Sequence, residues 1–336
     1  MTMVSKQKFN IEQSISGKRV MIIGDVMMDS YLFGHVDRIS PEAPVPVVVL
    51  KKRDNRLGGA ANVALNIQSL GATPILCSLV GNDAKGNEFI EKMQDLKMPT
   101  NGMIKSNNRI TTTKFRIIGN NTQLLRVDEE IDTPLVKEDA IALYDIVEHI
   151  LENDIIDVII FEDYDKGLIT KDLIEKIIFK ARILDIPVAV DPKKRNFNNY
   201  KKATIFKPNL KELREGTKSE IDYNDIDAIA QLTKQYIIEH EIEIALITLS
   251  ERGVLVVWHT DERELVYEII PAHYRNITDV SGAGDTVISV AALCYSIGLN
   301  PKDMAVISNL AGGLVCEEIG VVPIDKQKLL FEVNQL

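Results

Sequence analysis

Short apolar segments rich in β-branched residues alternate with longer stretches of helical periodicity along most of this chain. Such segments lie at residues 19–23, 74–79, 158–161, 188–190, 204–206 and 245–249. Each is bounded by a turn or by charged residues, which is typical of strands buried on both faces. Helical patterns separate them, at residues 60–70, 137–152, 170–184 and 225–241. The alternation predicts an α/β fold with a mostly parallel central sheet and helices on both faces.

Two stretches depart from this rhythm and predict a second, smaller sheet. Residues 31–50 end in PEAPVPVVVL, where three closely spaced prolines exclude a helix and favour an edge strand. Residues 109–127 alternate as a strand does around a Gly-Asn-Asn turn, which indicates a hairpin. Because both stretches are inserted between α/β units, we expect them to form a lid on a single domain spanning residues 1–336.

Composition and charge limit the kinds of partner. The 336 residues carry 49 acidic and 39 basic side chains, a formal charge of −10, which argues against sequence-independent binding of nucleic acid. No apolar run approaches the roughly 20 residues of a membrane span. The polar N-terminus lacks the apolar core of a signal peptide, and three scattered cysteines suggest neither a zinc site nor a disulfide framework. We therefore expect a cytoplasmic protein with a small-molecule substrate.

The segment Asp-Val-Ser-Gly-Ala-Gly-Asp-Thr at residues 279–286 is the strongest chemical signal. Gly282, Ala283 and Gly284 leave backbone N–H groups unobstructed at the start of a helix, which favours an anion there. Asp285 in the first turn is well placed to take a proton from an attacking hydroxyl. The alternative is a plain helix cap, because Asp and Ser are common in first turns.

Two further segments point to a ligand at the ends of strands. Gly58 and Gly59 precede a helix and allow a ligand to approach the backbone, and Asn62 both donates and accepts hydrogen bonds. Gly-Asp-x-x-x-Asp follows the first strand, and its second carboxylate, Asp29, is suited to sugar hydroxyls. A turn or loop solvation explains each segment equally well. A P-loop and a G-x-G-x-x-G motif are both absent.

These motifs, in this order, resemble the PfkB/ribokinase family of carbohydrate kinases. Asn-Leu-Lys-Glu at 209–212 resembles the family's N-x-x-E motif, and Thr-Leu-Ser-Glu-Arg-Gly at 248–253 its nucleotide loop, with Ser250 replacing a glycine. The resemblance runs from about residue 19 to 323 and implies a ribokinase-like αβα sandwich with a β-sheet lid. A narrower likeness, in GDVMMDSYLFGHVDRISPEAPVPVV and FEDYDKG, is to the D-glycero-β-D-manno-heptose-7-phosphate kinases.

The resemblance implies roles for individual residues. Asp285 is the catalytic base, and Gly282, Ala283 and Gly284 form an anion hole for the γ-phosphoryl group of ATP. Asn209 and Glu212 hold Mg²⁺ and phosphates through water. The nucleotide-binding residues are expected to be Lys193, Asn209, Thr248, Gly253 and Asn309, although Lys193 is equally explained as part of a basic loop.

On the sugar side the resemblance implies Asp29, Gly58, Gly59 and Asn62. A heptose 7-phosphate also needs a basic contact remote from the reacting hydroxyl. The candidates are Lys114, Arg116, Arg126 and Lys166, each of which is equally explained as a solvated side chain. Arginine is favoured slightly, since its fork binds phosphate in a bidentate manner.

The implied reaction transfers the γ-phosphoryl group of ATP to the anomeric O1, giving a 1,7-bisphosphate for ADP-heptose and lipopolysaccharide precursor synthesis. The chain is too short for the nucleotidyltransferase domain of bifunctional relatives, and we expect a stand-alone kinase that forms a homodimer through the lid. Two alternatives remain open: a family kinase for fructose, ribose or fructose 6-phosphate, and a non-catalytic sugar- or nucleotide-binding regulator.

Overall fold

The computed structural model describes residues 11–273 and 275–336. Within them, a nine-stranded sheet runs in the order β13-β12-β11-β10-β9-β8-β1-β4-β5. All neighbours pair in parallel except β12, which is antiparallel to both of its partners. The strands are β1 (Arg19–Gly24), β4 (Thr73–Gly81), β5 (Met103–Ser106), β8 (Val158–Glu162), β9 (Val188–Asp191), β10 (Ile205–Phe206), β11 (Ile244–Thr248), β12 (Val254–His259) and β13 (Leu265–Ile270).

The described residues also form ten α-helices. They are α1 (Ile11–Ile15), α2 (Ala60–Ser69), α3 (Ala84–Asp95), α4 (Lys137–Asn153), α5 (Lys171–Ile183), α6 (Leu210–Thr217), α7 (Ile226–His240), α8 (Ala283–Ser296), α9 (Pro301–Val315) and α10 (Lys326–Val333). None of the helices in the described residues is long and apolar enough to cross a bilayer.

The hydrophobic core has two layers because the central strands are buried on both faces. In β1, Val20 and Ile22 pack with α2, α8 and α9, whereas Met21 and Ile23 pack with α4 and α5 on the opposite side. This alternation is the pattern expected of a strand between two helical layers. The predicted α/β class with a mostly parallel sheet is therefore confirmed.

The smaller sheet, which we call the lid, runs in the order β3-β2-β6-β7. Its strands are β2 (Val26–Ile39), β3 (Pro46–Gly59), β6 (Thr113–Gly119) and β7 (Thr122–Glu129), so the first hairpin extends beyond the predicted 31–50 at both ends. Asn120 and Asn121 have φ of 52° and 63° between β6 and β7. Positive φ at both central residues is what a two-residue type I′ turn needs.

The ends of three strands place candidate site residues at one edge of the nine-stranded sheet. Gly24, Glu162 and Asp191 end β1, β8 and β9, and register places Gly24 beside Glu162 and Glu162 beside Asp191. Ligands bind outside the carboxyl ends of the strands in open parallel sheets. Helix α8 begins against this edge and contacts β8 and β9.

Candidate active site

Asp285 lies buried in the first turn of α8 with both carboxylate oxygens engaged. The Asn62 amide donates to Oδ2 at 2.6 Å, and the Tyr164 hydroxyl donates to Oδ1 at 2.9 Å. The helix cap is Gly282, and no side chain caps the helix. Asp285 is therefore not a capping residue, which removes the alternative of a plain helix cap.

Burial dominates the electrostatics of Asp285. Desolvation raises the pKa of its carboxyl above the ordinary value, although the hydrogen bonds from Asn62 and Tyr164 act to lower it. The charge of Lys207 also acts to lower this pKa, and a carboxyl group with a raised pKa is better suited to accept a proton.

The backbone beside Asp285 has the form expected of an anion site. Gly282 has φ of 80°, and a Cβ on it would stand 3.0 Å from Asn62 Nδ2, so glycine fits best here. Ala283 donates its N–H to the Val280 carbonyl at 3.3 Å. Across the described residues, the N–H groups of Gly282 and Gly284 have no hydrogen-bond acceptor. Lys207 Nζ lies 3.4 Å from where a Cβ on Gly284 would stand, which adds a positive charge.

Glu162, Asp191 and Asp285 bring carboxylate oxygens within 4.8 Å of one another. Neither oxygen of the fully buried Glu162 has a hydrogen-bond partner. Burial, and then the charges of Asp191 and Asp285, raise the pKa of Glu162 well above its ordinary value. Oxygen donors of this kind are the ligands that Mg²⁺ and Mn²⁺ prefer.

Two lysines offset part of the negative charge of these carboxylates. Lys207 Nζ lies 2.8 Å from Asp191, and Lys193 Nζ lies 3.4 Å from Asp191 and 2.6 Å from Glu212. Although burial acts in the opposite direction, these two lysines lower the pKa of Asp191. Lys193, the predicted phosphate contact, thus stands between two carboxylates at the edge of the site.

The predicted metal residues Asn209 and Glu212 form a capping box at the start of α6. Asn209 Oδ1 accepts the Glu212 N–H and Glu212 Oε2 accepts the Asn209 N–H, both at 2.8 Å. Glu212 Oε1 accepts from Lys193. The side-chain oxygens of this pair are thus already used by the protein, so contact with an ion through water remains a prediction.

The other predicted nucleotide residues lie at the end of β11, before β12 and within α9. Thr248 ends β11 and bridges to Asn209, and the Asn309 amide donates to the Pro271 carbonyl at 2.9 Å. Gly253 lies next to the Ile270 backbone. Ser250 has φ of 58°, a conformation that glycine adopts more readily, which accounts for the glycine at this place in the family motif.

The predicted sugar residues converge where the lid meets the sheet. Asp29 Oδ2 lies 2.3 Å from where a Cβ on Gly58 would stand, so a side chain there would displace the carboxylate. Gly59 is the residue before α2, which carries Asn62. Asn62 Oδ1 is buried and unpartnered, while its Nδ2 holds Asp285. An acceptor is therefore left for a hydroxyl beside the base.

The four predicted phosphate contacts occupy different positions. Lys114 and Lys166 both bind Glu130, at 3.5 and 2.7 Å, and Lys114 also binds Asp128. Arg116 binds Asp29 at 2.5 Å, and Arg126 binds Asp128 at 3.0 Å.

Several residues that shape the site were not predicted from the sequence. Asp25 accepts backbone hydrogen bonds from Tyr164 at 3.0 Å, Lys166 at 3.2 Å and Leu168 at 3.1 Å, so it fixes the loop that presents the Tyr164 hydroxyl. Tyr164, Glu162 and Lys207 also lacked a predicted role. The only available signal was their position directly after short buried strands, the usual location of ligand-binding residues.

Comparison with known proteins agrees with this geometry. Residues 18–327 match the model of the pfkB family carbohydrate kinases. A curated D-beta-D-heptose 7-phosphate kinase of Bordetella bronchiseptica is 37% identical over 320 residues, covering 95% of this chain and 97% of that one. The bifunctional protein HldE of Magnetococcus marinus is 37% identical over 95% of this chain, which spans 64% of that longer protein.

Solved structures share the fold at low sequence identity. Phosphofructokinase-2 of Escherichia coli superposes with a TM-score of 0.76 at 16% identity, covering 95% of this chain and 99% of that one. Arabidopsis thaliana ribokinase gives 0.69 at 16% identity, covering 94% and 99%. The predicted ribokinase-like fold is confirmed, and the chain belongs to the pfkB family of carbohydrate kinases.

Proposed function

We propose that this chain is an ATP-dependent kinase that phosphorylates the anomeric O1 of D-glycero-β-D-manno-heptose 7-phosphate to give the 1,7-bisphosphate. The observation that carries the proposal is the placement of Asp285. It is a buried carboxylate held by Asn62 and Tyr164 directly beside the unpaired N–H groups of Gly282 and Gly284. Transfer of a phosphoryl group to a hydroxyl needs a base next to an anion-binding site.

In the proposed mechanism Asp285 takes the proton of the attacking hydroxyl. The free Oδ1 of Asn62 accepts a hydrogen bond from the sugar, and Asp29 accepts others at the lid. The Gly282 and Gly284 N–H groups, with Lys207, stabilise the negative charge of the transferring group. The nucleotide would be bound by Lys193, Thr248, Gly253 and Asn309.

The acidic group fits the Mg²⁺ that this reaction class uses, because Glu162 has two buried oxygens without partners. Glu162 and Asp191 would hold the ion directly, and Asn209 and Glu212 would act through water. When bound, Mg²⁺ neutralises charge on the phosphates of ATP.

Support for the acceptor comes from the relative named D-beta-D-heptose 7-phosphate kinase, which matches this chain over nearly its full length. The resemblance extends the proposal to ADP-heptose and lipopolysaccharide precursor synthesis. Kinases for fructose, ribose or fructose 6-phosphate share the fold, and acceptor specificity decides between them.

We also propose a homodimer through the lid. On the lid face opposite Asp29, Leu50, Leu125 and Val127 are 50%, 54% and 45% exposed. Apolar residues clustered on one sheet face are typical of a protein–protein contact. A second copy of the lid would cover them.

A coupled ADP-release assay tests the proposed reaction. With ATP and Mg²⁺, we expect turnover of heptose 7-phosphate and at least about a hundredfold slower turnover in Asp285→Asn. Binding of ATP to that variant, measured by calorimetry, should be unchanged. Near-normal kcat in Asp285→Asn would remove it as the base, and preferred turnover of fructose 6-phosphate, ribose or fructose would replace the acceptor.

A further inference from the structure

The lid face that carries Asp29 is rich in positive charge despite the acidity of the whole chain. Side chains alternate between the faces of a strand, so the pairing register assigns each one to a face. The cations sharing this face around Asp29 are Lys52, Arg56, Lys114, Arg116 and Arg126. The acids sharing it are Asp29, Asp54 and Asp128.

Three of these cations crowd together. Arg116 and Arg126 are direct cross-strand partners on β6 and β7. The guanidinium groups of Arg56 and Arg116 both lie over the Tyr31 ring, at 4.8 and 5.1 Å from its centre. Like charges placed directly opposite destabilise a sheet, and the carboxylates of Asp29, Asp54 and Asp128 offset part of this repulsion.

The three arginines keep donors that the protein does not use. Arg116 donates to Asp29 from Nη1, Arg126 to Asp128 from Nε, and Arg56 to a single oxygen of Asp54 from Nε and Nη2. Across the described residues, the remaining guanidinium nitrogens have no acceptor. Arg56 and Arg126 are 40% and 54% exposed, so an incoming ligand can reach them.

This face lies against the loops beside the anion hole. Arg56 Nη1 is 3.5 Å, and the Tyr31 hydroxyl 3.9 Å, from where a Cβ on Gly320 would stand. The next residue, Val321, is similarly 3.1 Å from the Cβ position of Gly282. A sugar that contacts Asp29 and Asn62 would therefore lie close to these arginines.

We propose that Arg56, Arg116 and Arg126 form the subsite for the phosphate group of the acceptor, with Tyr31 as the surface on which two of the guanidinium groups stack. We call these three residues the arginine subsite. Arginine forks bind phosphate oxygens in pairs, and a dianion offsets the repulsion among the three cations. Lys114 and Lys166 both bind Glu130, and Lys114 also binds Asp128, and we leave these two lysines outside the arginine subsite.

This inference rests on the proposed function, because it needs an acceptor with a distal phosphate. The test compares kcat and KM for heptose 7-phosphate and for the unphosphorylated heptose. Arg56→Gln should raise KM for the phosphorylated acceptor at least about tenfold, equivalent to about 1.4 kcal/mol, with kcat within about twofold. KM for the unphosphorylated heptose should be unchanged.

Two further variants make the result specific. Arg126→Gln changes a half-exposed side chain, and it should give the same selective loss. Lys52→Gln removes a charge from the same strand and face as Arg56, outside the arginine subsite, and should leave both KM values unchanged. If both arginine variants affect the two acceptors equally, or no more than Lys52→Gln does, the arginine subsite is wrong. If the wild type does not prefer the phosphorylated acceptor, the proposed substrate itself is wrong, and the inference fails with it.

Discussion

Replacing Tyr164 by phenylalanine would remove one hydroxyl from the site and little else. That hydroxyl is buried and donates to Asp285 Oδ1 at 2.9 Å, and the backbone N–H of the same residue is held separately by Asp25. The ring can therefore stay in place while the carboxylate loses one of its two donors. Asn62 remains as the other donor, at 2.6 Å.

The size of the effect follows from the charge of the acceptor. A hydrogen bond to a charged group contributes about 1.5–3 kcal/mol, and its loss leaves Asp285 Oδ1 buried without a partner. Each 1.4 kcal/mol is a factor of ten, so we expect kcat to fall about 10- to 100-fold. Two causes act together: the carboxylate is less firmly oriented, and less of it is ionised, because burial already raises its pKa. KM for the acceptor should change little, since Tyr164 need not touch the sugar.

The coupled ADP-release assay measures both constants, and Tyr200→Phe is the matched control. The Tyr200 hydroxyl is also buried and donates to a carboxylate, Asp163, at 2.8 Å, but it does not reach Asp285. A loss of stability alone would affect the two variants alike. Unchanged kcat in Tyr164→Phe, or an equal loss in Tyr200→Phe, would refute the idea that Tyr164 positions the base.

Three other outcomes test separate parts of the structure. Ser250→Gly should raise the free energy of unfolding by about 1 kcal/mol in urea titrations, because it relieves a left-handed backbone; a loss of stability would contradict this. Glu162→Gln should raise the Mg²⁺ concentration for half-maximal rate at least about tenfold, and a larger shift in Glu212→Gln would place the ion at the capping box instead. Leu125→Glu should convert the dimer to a monomer in light scattering, whereas Ile183→Glu, on the exposed face of α5, should not; a wild-type monomer would exclude the lid contact.

The layers of the fold follow from local patterns, which explains why sequence analysis predicted them. The interior of a strand such as β1 is apolar from Val20 to Ile23 because both faces are buried, and the helices between the strands show the helical period of hydrophobic residues. The strands β5, β12 and β13 had no matching expectation. β5 is only Met-Ile-Lys-Ser, and nothing local in Val254–His259 indicates that it pairs in antiparallel fashion.

Within the site, the motifs located Asp285 and its glycines because a helix start is a local feature. The partners of Asp285 are not local. Tyr164 is 121 residues away in sequence, and Asn62 is 223 residues away. Asn209 and Glu212 illustrate the opposite case: their spacing is that of a capping box, which the structure forms.

The lid joins two hairpins that are distant in the chain. Its central pair, β2 and β6, is parallel, and 73 residues, 40–112, lie between the end of β2 and the start of β6. These residues form β3 of the lid, the helices α2 and α3, and the strands β4 and β5 of the main sheet. Parallel pairing of distant strands forms slowly, because the intervening chain must be ordered first. The lid should therefore be assembled late in folding, and pulse-labelling hydrogen exchange should find its amides protected after those of β1 and β4.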